Sequence, residues 1–314
     1  QISWTQPSQD PPLRIAMIQG NTPQNLKWKS SYRQKVLQNH IRPTLLHLDR
    51  DLIIWPETAV PQLFDIIRPS LQPLEELLLD NGTALITGMP SRHQSQPQTE
   101  SEQASAALQY YNSVVGLAGA SGIYHKQRLV PFGEYVPLEK LLRGLIKFFD
   151  LPMSSFSLGP DNQPPLRLAD GQSLSAFVCY EIVYPDLVAE SARDADFLLT
   201  LSNDSWFGDS LAPHQHLQMA RMRAMENARY LLRATNNGIS AVVAPDGTVL
   251  KRTEQFVATV LTSEVQAMTG RTPFSRAGSS PLLAICFTLL LVLLAGHRSR
   301  PPYQQKQQHP HSAD

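Results

Sequence analysis

Phe177-Val178-Cys179-Tyr180-Glu181 is the stretch on which the fold reading turns. Residues 174–178 read as a buried strand that stops on a cysteine flanked by polar groups. In α/β folds, chemistry gathers at the carboxyl ends of strands, which is where Cys179 falls. A lone cysteine is equally at home as a small buried hydrophobe, so position by itself leaves both readings open.

Outward from that strand, apolar runs and helical patterns alternate. Upstream, strands are expected at 13–19, 51–55, 83–88 and 108–117, with a hairpin through Ser121-Gly122 into 123–126. Helices are expected from Pro23 to about residue 47 and over 71–79, where leucines recur at helical spacing. Residues 91–105 are Gln/Ser-rich and read as a solvated, mobile loop. Residues 130–137 form a Pro- and Gly-stiffened loop, and 138–149 an amphipathic helix. Downstream come a helix at 184–193, a strand at 197–201, and a long helix at 213–232. Strands at 233–235, 239–244 and 257–265 follow. Helices alternating with strands and interspersed hairpins predict an α/β sandwich, with no internal repeat.

Bulk properties narrow the function. Lys+Arg and Asp+Glu both number 27 in the 314 residues, so no overall field favours nucleic acid. Gln1 is not an initiator Met, so a cut precursor or a fragment is expected. Cys179 and Cys286 lie in unlike surroundings and are not expected to pair. No CxxC or Cys/His cluster suggests a metal, and His214 and His216 read as surface or loop histidines. Residues 277–296 carry no charge and are bracketed by Arg276 and His297-Arg298. About 20 residues at 1.5 Å each span a hydrocarbon core of roughly 30 Å. A transmembrane helix is expected there; a buried core helix is the other reading. The domain expectation is a linker at 1–12, a catalytic domain at 13–268, a connector and membrane helix at 269–296, and a disordered tail at 297–314.

Three expected strand ends carry groups that suit one another: Glu57 after Trp55-Pro56, Lys126 at the end of the hairpin, and Cys179. A thiol is a poor nucleophile until deprotonated, so a cysteine site needs a base or a cation nearby. A buried glutamate can take that proton, and a lysine can stabilise a developing oxyanion. Acid, lysine and cysteine make a complete acyl-transfer set with no histidine, metal or other cofactor. The bland readings are that Glu57 caps a helix and Lys126 is a solvated hairpin charge.

These residues resemble the Glu-Lys-Cys triad of the carbon–nitrogen hydrolase (nitrilase) superfamily. Longer runs resemble its apolipoprotein N-acyltransferase branch: 125–137 (His-Lys-Gln-Arg-Leu-Val-Pro-Phe-Gly-Glu-Tyr-Val-Pro), 202–208 (Ser-Asn-Asp-Ser-Trp-Phe-Gly), and 215–226 running on to 234–238. Gln19-Gly20-Asn21 with Lys27-Trp28, and 148–156, are similar to it as well.

The resemblance implies a nitrilase-like α-β-β-α sandwich with one C-terminal transmembrane helix. It implies an enzyme of the bacterial inner membrane whose catalytic domain faces the periplasm, preceded by a bundle of membrane helices that this sequence does not include. A fatty acyl chain would pass from a glycerophospholipid, phosphatidylethanolamine being expected, through a Cys179 thioester. The acceptor would be the α-amine of an apolipoprotein's diacylglyceryl-cysteine. Glu57, Lys126 and Cys179 would be catalytic, and Glu134, Tyr180 and Glu181 supporting. Trp28, Phe148, Phe149, Asn203 and Trp206 would contact substrate, with core packing the alternative for each aromatic. A monomer with no cofactor and no nucleic-acid partner is expected. The rival reading is an amidase or nitrilase that hydrolyses a small amide with the same triad.

Overall fold

The structure is a computed structural model, describing residues 3–94, 108–131, 133–135 and 156–298. The first half of the chain supplies strands β1 (Thr5–Pro7), β2 (Leu13–Gln19), β3 (Leu52–Ile54), β4 (Ala84–Gln94), β5 (Leu108–Ala118), β6 (Ala120–Ser121) and β7 (Ile123–His125). Its helices are α1 (Gln24–Lys27), α2 (Arg33–Leu45) and α3 (Phe64–Asp80). The second half supplies β8 (Leu166–Leu168), β9 (Ser173–Val178), β10 (Phe197–Ser202), β11 (Tyr230–Thr235), β12 (Ala241–Val243), β13 (Val249–Arg252), β14 (Thr259–Val265) and β15 (Met268–Gly270). Its α-helices are α4 (Pro185–Ser191), α5 (Ala212–Asn227), α6 (Pro273–Ala277) and α7 (Ser280–Arg298), and a short 3-10 helix, Cys179–Val183, follows β9 directly.

Two sheets lie face to face. One has the order β14-β2-β3-β4-β5-β7 and the other β13-β12-β11-β10-β9-β8-β6. Strands β2, β3 and β4 run parallel at the centre of the first, and β9, β10 and β11 at the centre of the second. Parallel strands must be covered on both faces, which is why they read as continuous apolar runs. Alternation then sorts the side chains. Ile15, Met17, Leu52 and Ile54 meet Leu174, Ala176, Val178, Leu199 and Leu201 between the sheets. Ala16, Ile18 and Ile53 point outward onto Leu37 of α2 and onto Ile67, Leu71, Leu74 and Leu78 of α3. Phe177 and Leu198 point outward onto Val188 of α4 and onto Leu217, Ala220 and Ala224 of α5. The layers are α-β-β-α, as the sequence leads one to expect.

Several elements differ from expectation. Helix α3 begins at Phe64, not Leu71, and carries Pro69 and Pro73 within it. Both prolines are exposed, while Ile67, Leu71, Leu74 and Leu78 face the sheet. Strand β4 continues through Ser91–Gln94, taking in the start of the stretch read as a loop. Within the stretch read as a linker, Thr5–Pro7 pairs with Met268–Gly270. Helix α5 stops at Asn227 because Ala228 turns left-handed (φ 47°), and β11 then starts at Tyr230.

Helix α7 buries none of its described apolar side chains; Leu293, for instance, is 70% exposed. No helix among the described residues is long and apolar enough to cross a membrane.

Candidate active site

Glu57 sits one residue beyond the Trp55-Pro56 end of β3, 7% exposed. The turn that holds it is tight: Thr58 has φ 47°, and the neighbouring strand presents Gly88. A Cβ on Gly88 would lie 2.6 Å from the Glu57 Cα and 2.7 Å from the Pro56 carbonyl oxygen. Glycine there lets β4 approach closely enough for Gly88 N–H to donate to the Pro56 carbonyl at 3.2 Å.

Lys126 follows β7 and is 1% exposed. Its N–H donates to the Asn112 carbonyl (2.9 Å), and its own carbonyl accepts from Gly159 N–H (2.8 Å). Its ammonium pairs with Glu134 Oε2 at 2.6 Å. Asn112, buried in β5, joins the two carboxylates: its Nδ2 donates to Glu57 Oε1 (2.8 Å) and to Glu134 Oε1 (3.0 Å). Val130 N–H donates to Glu134 Oε2 at 2.9 Å, fixing the loop to its own glutamate. Burial alone would lower the Lys126 pKa, but Glu134, Cys179 and Glu57 together hold it above the ordinary lysine range. Burial raises Glu57, opposed by Lys126 and by the Asn112 hydrogen bond.

Cys179 ends β9 with φ 54°, a left-handed conformation that costs a non-glycine residue on the order of 1–3 kcal/mol. Such strain persists where surrounding contacts impose it. Here the Cys179 carbonyl faces His216 Nε2 at 3.0 Å, and His216 Nδ1 accepts from Arg233 Nη2 at 3.1 Å. Arg233 in turn pairs with Asp204 Oδ2 at 2.7 Å, with both side chains fully buried. Burial and Arg233 lower the His216 pKa, so the neutral ring donates through Nε2 to the Cys179 carbonyl. Burial pushes the Cys179 thiol up to about 12, Glu57 adds to this, and Lys126 opposes it. The resting thiol is therefore protonated, and a base must take its proton during attack.

Glu181 is fully buried and ties the two halves of the site together. Its Oε1 accepts from Gln127 N–H (2.5 Å) and Arg128 N–H (3.0 Å), just beyond Lys126. Its Oε2 accepts from Val178 N–H (2.7 Å), just before Cys179, and from Tyr124 Oη (3.0 Å). Burial pushes Glu181 up to about 7, with Lys126 and the three backbone donors pulling it back.

Glu57, Lys126, Cys179, Glu134 and Glu181 thus converge in one buried charged cluster. Tyr180 does not join it: the ring is 42% exposed and edge-on to Tyr184 at 6.0 Å. Asn203 is buried rather than open to a pocket. Its Nδ2 donates to Gln24 Oε1 (2.8 Å) and its Oδ1 accepts from Ser205 Oγ (2.8 Å), bracing β10 against α1. Trp206 is 59% exposed beyond β10, and Trp28 is half-buried at the end of α1. Phe148 and Phe149 lie outside the described residues. His216 corrects the surface reading, since α5 turns it inward beneath Cys179. Asn112 and His216 are the two site residues that sequence reasoning missed. A polar asparagine within the apolar run of β5 was the available signal for the first. Both cysteines are free, and among the described residues no group of three or more His, Cys, Asp or Glu side chains could hold a metal.

The pattern of the carbon-nitrogen hydrolase family matches residues 14–274. A Pseudomonas aeruginosa protein named apolipoprotein N-acyltransferase is 44% identical over 299 residues, covering 95% of this chain and 57% of the relative. One of the same name from Vibrio parahaemolyticus is 39% identical over 293 residues, covering 90% and 55%. The chain thus spans little more than half the length of these curated relatives. Among solved structures, Saccharomyces cerevisiae Nit3 of the nitrilase superfamily superposes with a TM-score of 0.57 at 17% identity, covering 81% of this chain and 90% of that one. An amidase from Nesterenkonia sp. superposes at 0.53 and 20% identity, with the same coverage. From the match across its sandwich and the agreement in fold, the chain belongs to the carbon-nitrogen hydrolase family.

Proposed function

We propose that this chain carries the acyl-transfer chemistry of an apolipoprotein N-acyltransferase, with Glu57, Lys126 and Cys179 as its catalytic residues. The observation that carries the reading is their convergence in one buried cluster around a strained strand end. The name of the relatives, apolipoprotein N-acyltransferase, suggests the acceptor, and the glycerophospholipid donor is part of the proposal.

In the first step Glu57 takes the Sγ proton as the sulfur attacks the ester carbonyl of a glycerophospholipid, phosphatidylethanolamine in the working case. The C–S bond forms and the ester C–O bond breaks. The proton passes from Glu57 to the departing lysophospholipid hydroxyl. In the second step the free α-amine of a diacylglyceryl-cysteine attacks the thioester. An amide C–N bond forms, the C–S bond breaks, and the amine proton returns through Glu57 to the thiol. Lys126 stabilises the oxyanion in both steps, with the backbone N–H after Cys179 beside it. Glu134 and Asn112 keep Lys126 and Glu57 in place. A thioester lies above an amide in free energy, so no nucleotide is needed.

The unburied apolar length of α7 supports contact with a lipid surface; the bacterial inner membrane, the periplasmic side for the sandwich and a monomeric state complete the proposal. The exposed Tyr180, Trp206 and Phe207 follow the ends of β9 and β10, which suits a lipid-facing mouth. Trp28, Phe148 and Phe149 are proposed to join them.

The test is intact-mass analysis of Cys179 after incubation in mixed micelles of palmitoyl-phosphatidylethanolamine. It is run on the chain alone and on the chain extended to the length of its relatives. A hydroxylamine-labile palmitoyl adduct is expected, and Cys179→Ser abolishes it while leaving the melting temperature unchanged. No adduct on Cys179 in either form overturns the transferase reading. Ammonia release from a small amide without lipid would favour the hydrolase.

A further inference from the structure

A second buried lysine lies behind Glu57, and the chemistry above leaves it unused. Lys27 closes α1, is 1% exposed, and points its Nζ at the Glu57 carbonyl oxygen, 3.2 Å away. Among the described residues no carboxylate pairs with it at ion-pair distance, so this buried ammonium has no conventional counter-ion. Its other close electrostatic neighbour is His40 of α2. That ring has Nδ1 on the Val36 carbonyl at 2.9 Å, while its Nε2 is buried without a partner among the described residues. A buried cation lacking a paired anion is costly, and it persists only where the surroundings gain from its charge.

The charged groups around Glu57 account for that gain. Lys126 faces it after β7, Glu134 from the 130–135 loop, Cys179 from the end of β9, and Lys27 from α1. Asn112 donates to it from β5. Two of these neighbours, Glu134 and a developing Cys179 thiolate, work against a Glu57 carboxylate. Lys126, paired with Glu134 at 2.6 Å, is the larger opposing charge on Glu57, and Lys27 adds a second cation that no carboxylate partners among the described residues.

We propose that Lys27 is a positioning residue of the site: through the Glu57 carbonyl it fixes the strained 56–58 turn, and its charge keeps the Glu57 side chain in the ionised form that accepts the Cys179 proton. The inference rests on the reading of Glu57 as that acceptor. Electrostatics agree in direction. Burial lowers Lys27 to about 8, still protonated at neutral pH, while Glu57 raises it and is itself pulled down by it.

The experiment is the pH dependence of Cys179 alkylation by iodoacetamide in the full chain. A Cys286→Ala background silences the exposed second thiol. Alkylation needs neither lipid nor acceptor, so it separates this inference from the acyl-transfer assignment. The variants are Lys27→Met, which keeps the apolar stem, Lys27→Gln, which keeps a donor, and Glu57→Gln; thermal melts confirm folding. Glu57→Gln is expected to abolish the acidic limb. Both Lys27 variants are expected to move it up by about one pH unit, a tenfold loss of rate on the limb. Lys27→Gln, with a donor still available to the carbonyl, is expected to retain the faster plateau of the two. If Glu57→Gln removes the limb and neither Lys27 variant shifts it, Lys27 is packing and the inference falls. If Glu57→Gln leaves the profile unchanged, Glu57 is not the acceptor and the inference falls with that reading.

Discussion

Asp204 shows how single side chains set the terms of this site. Burial alone would push its carboxyl up, but the Arg233 guanidinium at 2.7 Å and the Ser202 hydroxyl hold it well below the usual carboxylate range. A folded-state value below the unfolded one gives stability that is present in full above the unfolded value of about 3.9 and lost as pH falls through the folded value. Asp204→Asn leaves Arg233 buried and unpaired, and we expect about 3–5 kcal/mol of lost stability at neutral pH. Urea unfolding curves at pH 7 and in acid check this, and the difference between variant and parent should narrow in acid. The same residues show what a sequence can disclose. Glu57, Lys126 and Cys179 were legible because each closes an apolar strand, where a polar group has few structural duties. Asn112 and His216 were not, because their roles depend on partners 55 and 37 positions away.

Elements with two buried faces were the easiest to read and are the most sensitive to truncation. Strand β10 is buried along its whole length, with Leu199 and Leu201 between the sheets and Leu198 under the α5 layer. Leu199→Ala opens a cavity that neighbours on both sheets cannot fill, and about 2–5 kcal/mol of destabilisation is expected by chemical denaturation. Where two elements meet without punctuation, the reading failed. The expected helix ran to residue 232 because Leu231 and Leu232 continue an apolar pattern. The break is made by Ala228 in a left-handed conformation, a role usually signalled by glycine. Helix α3 was cut short for the opposite reason. Pro69 looks like a breaker ahead of the leucine repeat, but it sits, like Pro73, on the solvent side of a helix held by its sheet-facing side.

The whole molecule combines a closed sandwich with an uncovered apolar rod. Three clusters of buried residues account for both sheets and their helices, and none includes a described residue of α7. Removing residues 279–314 is therefore expected to leave the melting temperature within a few degrees of the parent while abolishing flotation with phospholipid vesicles. A large loss of melting temperature would show that α7 supports the sandwich. The short β1–β15 ladder adds a mechanical consequence. Thr5 pairs with Gly270 and Pro7 with Met268, so the chain flanks leave from the same end of the ladder. Tension applied to both flanks loads its bonds one after another, as in peeling, rather than all together, as in shear. The ladder acts as a weak mechanical fuse on the N-terminal side, since residues 271–279 are held to the sandwich by Arg271, Thr272 and Ser275: tension on the N-terminal flank opens this clasp bond by bond and spares the strand ends that carry Glu57 and Cys179.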